Sequence, residues 1–149
     1  MERLVKILKE KKLTISSCES LTGGLFASKL VEISGASSVF VGSYVTYMDK
    51  AKEILLDGKE VLDKVGAISE EMAYKMAKTI KEKLNSNIAV SFTGNAGPVA
   101  SEGKPAGLVY SCIIINESKT IYKDMYSGDR NSIRNQVVEK TIERILQNI

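Results

Sequence analysis

Ser20 stands in Cys18-Glu19-Ser20-Leu21-Thr22-Gly23-Gly24, between an apolar strand-like run and the start of a helical one. A hydroxyl on such a turn is exposed. The backbone N–H groups that follow point outward at a helix N-terminus, where they can hold a developing oxyanion or a phosphate. Gly23 and Gly24 would let a ligand approach the backbone closely. The backbone near Thr22, Gly23 and Gly24 is therefore a candidate anion cradle. The same residue types also make an ordinary helix cap, so the segment alone leaves both readings open.

Tyr47-Met48-Asp49-Lys50-Ala51-Lys52 follows the next strand-like run. Lys52 can serve as a base and Tyr47 as a proton relay; equally, Lys52 is a solvated lysine opening a short helix. The Tyr-xxx-Lys pair of short-chain dehydrogenases is not met, because Ala51 occupies that lysine position and no GxGxxG accompanies it. Gly94-Asn95-Ala96-Gly97-Pro98 and Gly103-Lys104-Pro105-Ala106-Gly107 bound a further segment that reads as a flexible ligand-facing loop or a plain turn. It is not a P-loop: five residues separate Gly97 from Gly103, and Pro105 stands where Ser or Thr is required. Asp129 caps the final helix, and Arg130 and Arg134 lie one turn apart on it. They suit a phosphate or carboxylate, or surface salt bridges. The chain has only four arginines, Arg3, Arg130, Arg134 and Arg144, so each planar fork merits a partner.

The chain contains no histidine. That excludes a Ser-His-Asp triad, a Cys-His dyad, an HExxH zinc site and any histidine base within it. If the protein is a hydrolase, its base is a lysine, a carboxylate or metal-bound water. Cys18 and Cys112 are far apart, in apolar runs, and read as buried reduced thiols. A metal site is not expected, and neither is a cofactor.

These segments need a scaffold. At 149 residues, 44% apolar and 26% charged, the chain fits one globular domain, 1–149. A net charge of +3 with both signs interspersed argues against a nucleic-acid surface. Met1–Leu13 reads as a short amphipathic helix rather than a signal peptide, and no apolar run reaches membrane-span length, so a cytoplasmic location is expected. Apolar spacing predicts helices over Gly24–Ile33, Ser69–Leu84 and about Arg130–Gln147, with Ser69 as an N-cap. Strands are predicted at Thr14–Cys18, Gly42–Tyr47, Asn87–Thr93, Leu108–Ile115 and Thr120–Tyr126, the last two joined by a turn at Asn116-Glu117-Ser118-Lys119. The order implies an α/β fold with a mixed sheet of about five strands and helices on both faces. The three candidate segments then fall after strand C-termini, where such sheets build their sites.

Taken in order, Glu19-Ser20-x-Thr22-Gly23-Gly24, Val45-Thr46-Tyr47-xxx-Ala51-Lys52, Gly66-Ala67-Ile68-Ser69-Glu70-Glu71, Gly94-x-Ala96-Gly97-Pro98, Lys104-Pro105-x-Gly107-x-Val109-Tyr110 and Gly128-Asp129-Arg130-xxx-Arg134 resemble the nicotinamide-nucleotide amidohydrolases, the CinA C-terminal domain family. The resemblance runs from about Val5 to Gln147. It implies a three-layer α/β/α fold and hydrolysis of the carboxamide of nicotinamide mononucleotide to the acid and ammonia. It also implies a Ser20 nucleophile, a Lys52 base and a Tyr47 partner. Gly94, Ala96 and Gly97 join Thr22, Gly23 and Gly24 as substrate contacts, with Arg130 for the anionic end. The implied partner is a small pyridine nucleotide, in a chain that could form a homo-oligomer; the larger members carry a further N-terminal domain. Three departures stand out. Leu21 replaces a Cys of the family pattern. Met48-Asp49-Lys50 stands where Ser-Asn-Glu is common. Gly97-Pro98-Val99-Ala100-Ser101 replaces a Gly-Pro-x-Gly-Gly loop, losing two glycines and one residue of length, which stiffens it. A nucleotide-binding member that has lost catalysis, or has changed substrate, is the alternative.

If the base is a lysine, hydrolysis should survive dialysis against a chelator. Activity lost to the chelator and restored by a divalent ion would overturn the metal-free reading.

Overall fold

The computed structural model describes residues 1–149. In chain order it contains α1 (Glu2–Lys11), β1 (Ile15–Glu19), α2 (Leu25–Val31), a short 3₁₀ turn at Ala36–Ser38, β2 (Phe40–Val45), α3 (Asp49–Leu56), α4 (Lys59–Val65), α5 (Glu70–Leu84), β3 (Ile88–Gly94), β4 (Leu108–Ile115), β5 (Ser118–Met125) and α6 (Arg130–Asn148). The strands form one sheet of order β2-β1-β3-β4-β5. β1 runs parallel to β2 and β3; β4 and β5 complete the sheet antiparallel.

Alternation along β3 shows how the layers arise. Ile88, Val90 and Phe92 point to one face and join Leu4, Leu8, Phe26, Ile133 and Val137 in the larger core, so α1, α2 and α6 cover that face. Ala89 points the other way, among Met72, Met76 and Ile80 of α5 and Leu56 of α3. Small residues at that face let α5 lie close: Ser91 donates to the Ala73 carbonyl at 2.5 Å, and Ala73 and Ala77 pack beside Cys112. The result is the expected three-layer α/β/α arrangement. Both thiols are buried and free. No helix is long and apolar enough to cross a membrane.

Local signals set most boundaries. The Ser69 side chain accepts from the Met72 amide at 3.1 Å, and Asp129 accepts from Ser132 at 2.8 Å, as their cap positions predict. The hairpin is tighter than expected: Ile115 pairs with Ser118, so only Asn116 and Glu117 turn, with Asn116 at φ +52°. Asn tolerates that left-handed conformation better than most residues. α4 is not among the predicted helices; its seven residues bury no side chain fully and therefore carry a weak period.

One buried group sets the geometry of the β1–α2 turn. Glu19, fully buried, accepts from the amides of Gly24 at 3.1 Å, Phe26 at 3.1 Å and Ala27 at 3.0 Å, and from the Ser17 hydroxyl at 3.2 Å. These amides open α2 and have no carbonyl partners of their own. A carboxylate suits them in both hydrogen bonding and dipole. Glu19→Ala should therefore orphan three donors in a dry site and lower unfolding stability by about 3 kcal/mol or more. Urea denaturation measures this as a lower midpoint with an unchanged m-value; a loss under about 1 kcal/mol would show that Glu19 is not the group organising the turn.

Candidate active site

Ser20 follows Glu19 at the end of β1, its amide still bonded to the Phe92 carbonyl at 3.0 Å. α3 begins just after the neighbouring strand β2 ends, which brings Lys52 alongside. The Lys52 side chain is almost wholly buried, at 1% exposure. Its Nζ lies 3.2 Å from the Ser20 Oγ, 2.9 Å from the Thr46 carbonyl and 3.4 Å from the Tyr47 carbonyl. This is the geometry a neutral amine needs in order to act as a base. The amine donates to both carbonyls and to the Ser20 Oγ; in its neutral form two N–H groups can keep the carbonyls while the lone pair takes the serine proton.

Two influences on the charge of Lys52 oppose each other. Burial pushes the Lys52 pKa below its ordinary value, and the Asp49 carboxylate, 3.7 Å away, is the main influence opposing it. Cys18 lies beneath the site, 3.6 Å from the Thr46 hydroxyl, and burial raises its pKa to about 12. It stays a neutral thiol and is no rival nucleophile.

Ser20 and Lys52 open into a cleft of about 340 Å³. Tyr47, Gly94, Ala96 and Arg130 also line it, as the sequence suggests, together with Asp49, Asn95 and Glu102. Tyr47 differs from its expected role. Its hydroxyl meets an Arg130 Nη at 2.5 Å, and only its backbone carbonyl reaches Lys52. Thr22, Gly23 and Gly24 are absent from the cleft wall. Thr22 is fully buried, the Gly24 amide is held by Glu19, and the Gly23 amide returns to the Ser20 carbonyl at 3.0 Å. The anion at the α2 N-terminus is thus internal. The Leu21 and Ala96 amides, both in cleft-lining residues, are bonded to no group within the protein. Gly97 turns its carbonyl to Arg130, at 2.8 Å, and contributes to an adjoining hollow of about 460 Å³ rather than to the main cleft.

The shortened 97–105 loop is pinned rather than free. Asn95 Nδ2 donates to the carbonyls of Ser101 at 3.2 Å and Lys104 at 2.8 Å, while its Oδ1 accepts from the Ser101 amide and hydroxyl. Glu102 reaches across to the amides of Ala67 at 2.8 Å and Ile68 at 3.0 Å. That contact explains Gly66, which has φ +81°: a Cβ there would lie 2.6 Å from the Glu102 carboxylate. Neither Arg130 nor Arg134 forms a surface salt bridge. Arg134 donates to the Thr22 carbonyl at 2.8 Å, so each arginine ties α6 to a different site loop. Asn95, Glu102 and Asp49 join the site without having been expected there: Asn95 and Asp49 lie inside the two loop motifs, and Glu102 carries no local signal.

The model of the CinA C-terminal domain family matches residues 1–149. Among curated proteins, the chain is 38% identical over 146 residues to a putative competence-damage inducible protein of Oceanobacillus iheyensis, covering 97% of this chain and 35% of that one. It is 45% identical over 133 residues to a CinA-like protein of Petrotoga mobilis, covering 88% and 33%. The chain thus spans about a third of the length of these relatives. Among solved structures, the competence/damage inducible protein from Agrobacterium tumefaciens is 35% identical with a TM-score of 0.92, covering 97% of this chain and 90% of that one. A CinA superfamily protein from Escherichia coli is 27% identical with a TM-score of 0.94, covering 99% and 90%.

A serine activated by a neutral lysine loses reactivity as that lysine protonates. The rate at which an acylating probe labels Ser20 should rise with pH through one ionisation, lying below the 10.5 of an ordinary lysine, and fall away at lower pH. Lys52→Met should remove the pH dependence along with most of the labelling. An unchanged profile in that variant would rule out Lys52 as the base.

Proposed function

The chain belongs to the CinA C-terminal domain family, and on that premise we propose that it is an amidohydrolase that converts nicotinamide mononucleotide to nicotinic acid mononucleotide and ammonia. The observation that carries this reading is the contact of 3.2 Å between the Lys52 amine and the Ser20 hydroxyl at the dry end of a cleft. Serine and lysine together replace a histidine-based triad in a chain without histidine.

In the proposed reaction, the Ser20 Oγ attacks the carboxamide carbon as Lys52 takes the hydroxyl proton. The carbonyl oxygen becomes an oxyanion, for which the unbonded Leu21 and Ala96 amides are candidate donors. Collapse breaks the C–N bond, and the Lys52 ammonium returns its proton to the departing nitrogen, which leaves as ammonia. Water then attacks the acyl-serine, giving its proton to Lys52. Release of Ser20 takes that proton back and leaves the carboxylic acid. Leu21, Ala67 and Ile68 offer apolar wall for a planar ring. Arg130, at the junction with the second hollow, suits the phosphate, and Tyr47 on Arg130 serves that end of the substrate.

Purified protein should release ammonia from nicotinamide mononucleotide. Ser20→Ala and Lys52→Ala should each lower kcat on the order of 10⁴-fold or more, because nucleophile and base act as a unit. Arg130→Ala should raise KM more than it lowers kcat, as expected of a grip equal in ground and transition states. Activity surviving in Ser20→Ala would replace the covalent route with direct attack by water. Tight nucleotide binding without ammonia release in the wild type would favour a non-catalytic binding protein.

A further inference from the structure

We infer that Asp49 is a charge switch, pairing with Lys52 in the free protein and exchanging that partner for a positively charged substrate ring, which leaves Lys52 as the free base. This rests on the amidase reading of the same cleft and deepens it. The substrate class it names is carboxamides borne on a cationic ring, such as N-substituted pyridinium.

The starting point is a conflict within the site. Lys52 can abstract a proton only when neutral, yet Asp49 stands 3.7 Å from its Nζ and favours the ammonium. A permanent carboxylate beside a general base works against it unless something removes the influence at the moment of reaction. Asp49 is free to change partners. It is the first residue of α3, its side chain is 63% exposed, it lines the cleft, and no backbone amide donates to it.

The other groups facing Lys52 cannot play that part. Cys18, on β1, is a neutral buried thiol. Glu102, on the 97–105 loop, is held by the Ala67 and Ile68 amides and by Lys104. Arg130, on α6, is tied to the Gly97 carbonyl and the Tyr47 hydroxyl. The remaining contacts of Lys52 are two carbonyls and a serine hydroxyl, all uncharged. A cation entering this cleft would satisfy Asp49 and at the same time disfavour a second positive charge on Lys52. Both effects favour deprotonation of the lysine, and both are absent with a neutral substrate.

The test compares nicotinamide mononucleotide with its uncharged dihydro form, above neutral pH where the latter survives, in wild type and Asp49→Asn. The wild type should prefer the cation by kcat/KM, and the substitution should shrink that preference about five-fold, the scale of one partly solvated charge pair. With the neutral substrate, the pH at which activity is lost should move lower in the variant, because Lys52 no longer has an anionic neighbour. A helix-capping role for Asp49 would move neither quantity. An unchanged cation preference, or an equal loss for both substrates, overturns the switch. Should the wild type hydrolyse neither compound, the amidase reading fails separately, and calorimetric affinities decide the switch. A cation preference in binding that Asp49→Asn abolishes would support it; an unaltered preference, or no binding of either, overturns it.

Discussion

The Glu19 carboxylate is the constraint on which the site depends. A carboxyl group taken fully out of water is costly unless its oxygens find hydrogen-bond donors. Here three backbone amides and a hydroxyl surround it. The amides need an acceptor as much as the carboxylate needs donors, so each resolves the other's burial. The consequence is positional. A strand end and a helix start are clamped together, and Ser20 is held at the C-terminal end of the interior strand β1, where it borders the cleft. The helix N-terminus is thereby occupied from within by Glu19 and not open to an external anion.

Lys52 poses the complementary problem. Its stem lies within the protein, and its amine meets only neutral acceptors and one carboxylate at the rim. Desolvation disfavours its charge while Asp49 favours it, and the balance is the chemical property that matters. A serine hydroxyl beside a solvated ammonium would be inert. The same two residues in a dry pocket, with two carbonyls fixing the orientation of the amine, have a defined donor and acceptor.

The walls of the cleft are drawn together from distant parts of the chain. Arg130 and Arg134 run from α6 to the Gly97 and Thr22 carbonyls, and Glu102 runs from its loop to the amides before α5. These are charged side chains on backbone dipoles, contacts stronger than neutral hydrogen bonds, and each joins one site segment to another. The loop that lost two glycines relative to the family pattern is the one held most heavily, by Asn95 and Glu102, so its changed sequence fits a fixed rather than a swinging wall.

The sequence by itself determined the layers, because period-two runs such as Ile88-x-Val90-x-Phe92 and capped amphipathic helices such as α5 and α6 depend only on local alternation. The absence of histidine likewise limited any hydrolytic base to a lysine, a carboxylate or metal-bound water, and the order of motifs pointed to Ser20 and Lys52. Composition and spacing could not decide which partner each polar group takes. Thr22, Gly23 and Gly24 read as an anion cradle because the helix N-terminus was visible, while the geometry that folds Glu19 back onto it was not. Tyr47 read as a relay because it lies near Lys52 in sequence, yet its hydroxyl meets Arg130, 83 positions away. Glu102 carried no motif because its partners lie more than thirty residues earlier. Secondary structure is set by neighbours in the chain, whereas hydrogen-bond pairing and burial, which surround Lys52 with two carbonyls, a hydroxyl and Asp49, are set by neighbours in space.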